Sequence, residues 1–230
     1  MSETLNLYLT SFFNPWETQR LLRNGRIHNQ AVEDSSPLEL IETREDKKVD
    51  IDSVRVSFEE SLTMSWFFFI LNTVYSLIGI QLGGNLYESF NSYHSQDISF
   101  ISSQNIVGQT TIFFILLRVL FFPLVFWFYG KFWVNLIKFF GNLFEKEGDL
   151  DDIGQDIVAH AFTSHVLLII PIVGVLFHRI TSIIYIFGGL RKNLEFSVFQ
   201  SLLVIVCPLF IIALSLLMMV VSIGIIISGL

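Results

Sequence analysis

Long apolar stretches separated by short polar ones set the pattern of this chain. A helix needs about 20 mostly apolar residues to cross about 30 Å of hydrocarbon. Residues 62–82 meet that requirement first, with no charge, three consecutive phenylalanines at Phe67, Phe68 and Phe69, and Gly83-Gly84 as the exit. Residues 110–128 follow, interrupted only by Arg118 and Pro123, and their pattern runs on through Lys131, Trp133 and Lys138 to Phe144. A single helix over that whole stretch is about 50 Å long, too long for one crossing. Its second half is therefore expected as a cytoplasmic or interfacial extension.

Residues 157–190 carry Pro171 and Gly174 near their middle. They predict two short crossings with the turn near His178-Arg179 or slightly before it, local thinning absorbing the mismatch; a re-entrant hairpin is the alternative. Residues 198–229 contain no charge and one break, Pro208, which predicts one long kinked span. The expected fold class is thus all-α: a polytopic membrane protein with a five-transmembrane-helix bundle and an N-terminal amphipathic interfacial helix.

The N-terminus has a different pattern. Asn14 suits a helix N-cap, Pro15 the first helical position and Gly25 the stop. Leu5, Leu7, Leu9, Phe12, Phe13 and Trp16 supply an apolar side, while Arg20, Arg23 and Arg26 offer charges to anionic head groups. Docking on the protein's own cytoplasmic face is the other reading. The chain divides accordingly into residues 1–24 as an amphipathic interfacial helix, 25–60 as a polar cytoplasmic segment, and 61–230 as the five-span domain. Within the second region Ser35-Ser36-Pro37 marks a turn, and Val49, Ile51, Val54 and Val56 suggest at most a short strand. The loop 84–109, rich in Ser, Asn and Gln, reads as extracytoplasmic.

Charge orients the bundle. Lys and Arg collect before the first span, in the 129–156 loop and at Arg191-Lys192, whereas 84–109 and the C-terminal tail have none. Five spans with a cytoplasmic N-terminus reproduce this alternation at every loop except the His178-Arg179 turn. Composition agrees: 52% of residues are hydrophobic, 15% are charged, and the mean hydropathy is +0.60. A soluble domain carries about 25% charged residues. The net charge of −7 belongs to the polar parts, since 12 of the 21 acids lie in the first 60 positions. Nucleic acid is not an expected partner, because it calls for a clustered basic surface. Cys207 is the only cysteine and excludes an intrachain disulfide. The first 30 residues lack the pattern of a secretory signal peptide, so the first span is expected to act as its own insertion signal.

Candidate chemistry is sparse. Arg118 lies about 12 Å along its helix from Thr110, and a charge at that depth normally faces a partner or water. It either lines a substrate path or grips a lipid phosphate, or it snorkels outward or donates to carbonyls freed near Pro123. The plainer structural role is preferred, and no acid in any expected span offers it an ion pair. His160 and His165 are five residues apart, about 140° around a helix, and so do not share a face; hydrogen bonding between helices is their expected role. Asp149, Asp151, Asp152 and Asp156 resemble the start of a calcium loop, but Ile153 takes one ligand position and His160 stands where the bidentate glutamate belongs. Acids at a helix N-terminus need only the helix dipole. Motifs for nucleophilic, metal-assisted or phosphate-cradling catalysis are missing, so no catalytic residue, metal or cofactor is assigned. Trp16, Arg20, Arg23 and Arg118 remain as candidate lipid or partner contacts. Pro171, Gly174, Gly188, Gly189, Pro208 and Gly224 are placed for helix packing.

The order of these features resembles the Yip domain family of Ypt/Rab-interacting, five-span membrane proteins, in its bacterial form. The resemblance rests on Ala159-His160-Ala161-Phe162-Thr163-Ser164, Ile170-Pro171-Ile172-Val173-Gly174, the run from Ile184 to Gly188-Gly189-Leu190-Arg191, the run from Ser197 to Leu203, Cys207-Pro208, and the start Asn14-Pro15-Trp16. The acidic aromatic-Gly-Pro motif of eukaryotic members has no counterpart here, and the 25–60 segment is longer than in compact bacterial members. The resemblance implies a non-enzymatic membrane adaptor or membrane-organising protein in a bacterial inner membrane, with a eukaryotic ER or Golgi membrane as the alternative. Its expected partners are the lipid bilayer and another membrane protein or a second copy. The competing expectation is an accessory subunit of a transporter or channel, with Arg118 and the Pro171/Gly174 region near a substrate or lipid path.

Overall fold

The computed structural model describes residues 2–34, 55–92, 101–171 and 173–228, with side chains over 4–29, 55–83, 110–171 and 173–225. The expected turn at Ser35-Ser36-Pro37 and most of the expected short strand lie outside the described residues. Every regular element among the described residues is a helix: α1 (Ser2–Phe13), α2 (Pro15–Asp34), α3 (Phe58–Ser92), α4 (Ile101–Leu143), α5 (Leu150–Phe162), a 310 helix continuing α5 (Thr163–Ile169), α6 (Gly174–Lys192) and α7 (Val198–Ser228). Three stretches are long and apolar enough to cross a membrane: Phe58–Gly83, Thr110–Leu143 and Val198–Ile225.

Local chemistry sets the helix starts. Ser57 and Glu60 form a reciprocal capping box on α3: Glu60 N donates to Ser57 Oγ at 3.2 Å and Ser57 N to Glu60 Oε2 at 3.1 Å. Ser197 and Gln200 repeat it on α7 at 3.2 and 2.8 Å. Asp149 caps α5 by accepting from the amides of Asp151 and Asp152.

Two expected stops do not stop the chain. Gly25 is buried inside α2, which continues to Asp34, so no boundary falls between residues 24 and 25. A lone helical glycine costs only about 1 kcal/mol relative to alanine, and contacts on either side of it outweigh that. Helix α3 likewise runs through Gly83-Gly84 to Ser92 and α4 starts at Ile101, so most of the expected 84–109 loop is helical.

The second half of α4, expected as an extension, packs into the core. Trp133, Val134, Ile137 and Phe140 are buried with Ile153, Ile157, Val158 and Phe162 of α5, with Ile186 and Leu190 of α6, and with Val204 of α7. Small residues permit this approach. A Cβ added at Gly141 would lie 2.9 Å from the Leu150 side chain, and one at Gly154 3.3 Å from Val134 Cγ1.

The reversal between α5 and α6 comes at Pro171, several residues before the expected position at His178-Arg179, which both lie inside α6. Proline has no N–H to continue a helix, and Gly174 lets the returning chain pass: a Cβ there would sit 2.2 Å from Leu167 O.

Helices α1 and α2 dock on this body along one side. Tyr8, Ser11, Thr18, Gln19 and Leu22 are buried, while Leu5, Phe13, Trp16, Leu21 and Ile27 are exposed. Tyr8 donates to Phe162 O at 2.6 Å, and the Tyr185 hydroxyl of α6 donates to Phe12 O at 2.6 Å. Helix α7 touches the body only near its start; from Leu209 to Ile225 every residue is exposed.

Candidate functional site

A cavity of about 700 Å³ opens between α3, α4, the 310 helix and α6. Helical spacing builds its walls. Helix α3 contributes Phe69, Asn72 and Ser76; α4 contributes Arg118, Phe122, Val125 and Tyr129; α6 contributes Val175, His178, Arg179 and Ser182. His165 and Leu168 of the 310 helix close the inner side.

One wall is a column of aromatic rings. Phe69 stacks on Phe122 with centroids 4.3 Å apart, and Phe122 stacks on Phe126 at 4.1 Å. The Arg118 guanidinium lies over the Phe69 ring, its Cζ 5.2 Å from the centroid, within cation–π range. His165 packs edge-on against Phe126, with centroids 4.9 Å apart, so polar groups sit beside the aromatic column. His165 and His178 rings lie 4.7 Å apart. His165 Nδ1 is 2.8 Å from Phe162 O; a carbonyl only accepts, so this nitrogen carries the proton. His165 Nε2 and His178 Nδ1 have no hydrogen-bond partner. Arg118 and Arg179 line the same cavity, and among the described residues no acid lines it. Among the described residues neither arginine pairs with a carboxylate. The arrangement therefore suits an anionic group flanked by apolar matter.

A second polar cluster occupies the other end of the helices. Asp156, 3% exposed, accepts from Arg26 Nη2 and from Arg55 Nε, each at 2.6 Å. Arg55 also reaches Asp152. Arg26 Nη1 donates to Asn193 Oδ1 at 3.1 Å, and Asn193 Nδ2 donates to Gln19 Oε1 at 2.8 Å. This network ties α2, the entry to α3, α5 and the end of α6 together. Burial pushes the Asp156 carboxyl above its ordinary value, against the pull of Arg26 and Arg55. Burial alone would lower Arg55, but Asp156 and Asp152 outweigh it and hold the guanidinium above its ordinary value.

The sequence candidates are distributed over both sites. Arg118 stands in the cavity. Arg23 and Arg26, expected to face head groups, pair instead with Glu195 at 2.6 Å and with Asp156; the Arg23 pair is exposed and worth little. Arg20 is exposed. Trp16 lies on Gly188, and a Cβ at Gly189 would sit 2.7 Å from Ile157 Cγ2. Pro171 makes the reversal with Gly174, Pro208 lies within α7, and nothing lies within 4 Å of a Cβ built on Gly224. The histidines bond and stack differently from expectation. His160 stacks on Tyr185 at 5.1 Å, and the His165 hydrogen bond stays within its own turn.

Arg55, Asp156 and Arg179 were not among the sequence candidates. A signal for Arg179 existed: Val175, His178, Arg179 and Ser182 share one helical face, as do Arg118, Phe122, Val125 and Tyr129. For Asp156 the signal was its i, i+4 relation to Asp152, which puts two like charges on one helical face and calls for a cation between them. Among the described residues no group of three His, Cys, Asp or Glu is placed to hold a metal ion. No protein-family model, no curated protein and no solved structure matches this chain.

Proposed function

We propose that this chain is a five-span integral membrane protein acting as a non-enzymatic adaptor that organises other membrane proteins. The observation that carries the reading is α7. From Leu209 to Ile225 it exposes only side chains without charge, and its two serines in that stretch bond their own helix: Ser215 Oγ donates to Ile211 O and Ser222 Oγ to Met218 O, both at 2.8 Å. Such a helix offers no polar group to water and is suited to lipid or to another transmembrane helix.

Five crossings follow if α5 with its 310 continuation and α6 form a second hairpin beside α3, α4 and α7. From Ile157 to Ile169 the rise is about 23 Å, short of the hydrocarbon thickness but within reach of local thinning. The unbalanced Lys/Arg distribution then sets the N-terminus in the cytoplasm. The exposed Leu5, Phe13, Trp16, Leu21 and Ile27 give α1 and α2 a face for the membrane interface. The resemblance to the Yip domain family, in its bacterial form and inner-membrane setting, points the same way.

The test is purification in mild detergent from native membranes, with mass spectrometry of proteins recovered in fixed ratio. A stoichiometric membrane partner supports the adaptor; a chain recovered only with lipid or itself sinks it. A second reading, an accessory subunit of a transporter or channel, is favoured by the cavity around Arg118; flux lost in an Arg118→Ala variant that still assembles would select it.

A further inference from the structure

We propose that the cavity between α3, α4 and α6 binds the phosphate of an anionic amphiphile, its charge taken by Arg118 and Arg179 and its hydrocarbon by the stacked phenylalanines. The inference rests on the reading that α4 and α6 cross the bilayer.

Among the described residues Arg20, Arg118, Arg179 and Arg191 have no carboxylate partner, whereas three other arginines do. Arg23, Arg26 and Arg55 each have a carboxylate within hydrogen-bond distance. Arg118 and Arg179 do not, and they are the two arginines that share a cavity. A guanidinium in a spanning segment is costly unless a partner or water meets it. Two exposed guanidinium groups around one space, with no acid among its described lining residues, define a site for negative charge. Guanidinium groups match the paired oxygens of a phosphate, with two parallel N–H···O bonds each.

The rest of the lining selects the class of ligand. The Phe69–Phe122–Phe126 stack lines the cavity beside the Arg118 charge, and the exposed Phe121, Val125 and Ile183 line it too, so an apolar chain has a surface next to the anion. Among the described residues the Ser182 hydroxyl has no hydrogen-bond partner, and it lines the same space, leaving a donor for a headgroup oxygen. A volume of about 700 Å³ holds a phosphate headgroup with a segment of one chain. The position also fits. Arg179 is five residues beyond Gly174 at the reversal, about 8 Å along α6, and the ion-paired cluster around Asp156 occupies the opposite end. The site therefore serves the leaflet on the Pro171 side.

The experiment uses the full chain in nanodiscs of phosphatidylcholine containing increasing phosphatidylglycerol, followed by release into mild detergent and native mass spectrometry of retained lipid. Phosphatidylglycerol is expected to stay bound in a fixed ratio and phosphatidylcholine to wash off. Arg118→Gln with Arg179→Gln is expected to lower retention by at least about tenfold, and the corresponding pair of lysines to keep part of it. Should the glutamine pair not fold, Val125→Trp, at an exposed position lining the cavity, is expected to lower retention by narrowing the space. Displacement of the lipid by millimolar inorganic phosphate assigns the site to a soluble phosphate compound; resistance to it assigns a lipid headgroup. Equal retention of the two lipids, or unchanged retention in the variants, overturns the proposal while leaving the membrane reading intact. A chain that does not enter the nanodiscs removes both.

Discussion

The indole of Trp16 rests on Gly188 so closely that a Cβ built on that glycine would lie 1.8 Å from Cζ3 of the ring. Two residues at opposite ends of the sequence thereby set where α2 meets α6. Trp16 follows the Asn14-Pro15 break, and Gly188 belongs to a pair of glycines whose other member faces Ile157.

Gly188→Ala is accordingly expected to displace the indole and loosen the N-terminal helices. Overpacking of this kind costs about 1–3 kcal/mol. Hydrogen exchange over α1 and α2 is the measurement; unchanged protection there would show that the indole swings aside freely.

Arg26→Ala removes one of two cations from a carboxylate that is 3% exposed. Stripping a buried charge of a partner costs about 3 kcal/mol. The sign with pH follows from the raised carboxyl. Folding makes Asp156 hold its proton more tightly, so its contribution to stability grows as pH falls through the raised folded value and is complete below the ordinary value of 3.8. In the variant that folded value rises further, and the protonated carboxyl needs no cation. The stability deficit is therefore expected to be largest at neutral pH and to shrink on acidification, read as the difference in unfolding midpoint across a pH series. A deficit that grows toward low pH would contradict the burial argument.

Tyr8→Phe tests the α1 anchor. The hydroxyl is fully buried and donates to Phe162 O at 2.6 Å where α5 passes into the 310 helix. Ser65 Oγ also donates to that carbonyl, at 3.3 Å, so the acceptor is not orphaned by the change. A loss of about 1 kcal/mol is expected, measured by thermal unfolding in detergent. Burial pushes the Tyr8 phenol well above its ordinary range, so the loss should not vary with pH below that range.

Gly224→Leu is expected not to lower the chain's own unfolding midpoint, because nothing lies within 4 Å of the added Cβ and leucine favours the helix over glycine. Its effect belongs to whatever meets α7 in the membrane. Recovery of a co-purifying membrane partner is expected to fall in this variant while the unfolding midpoint holds. A lowered midpoint would mean that α7 packs on its own chain.

The sequence by itself determined the helices and much of where they begin. Composition and the long apolar runs lead to an expectation of five crossings, and three helices are long and apolar enough to make one; the reversal expected near His178-Arg179 or slightly before it comes at Pro171. The Ser57–Glu60 and Ser197–Gln200 boxes were legible in the residues as well, because a cap joins groups three positions apart. Glycines 25, 83 and 84 misled as stops: one such residue weakens a helix by about 1 kcal/mol, too little to end it by itself. What only the tertiary structure decided is pairing over distance. Arg26 and Asp156 are 130 positions apart, and a run of acids before an apolar helix reads equally as helix-dipole charge until another element brings a cation to it. The cavity arises in the same way. Arg118 was visible as an isolated charge, but Arg179 joins it only because the chain turns back at Pro171 and packs α6 on the 310 helix and α5, across the cavity from α4. Apolar periodicity specifies that a face is buried; it carries no label for the helix that covers it, and shape fit and charge between distant segments make that choice.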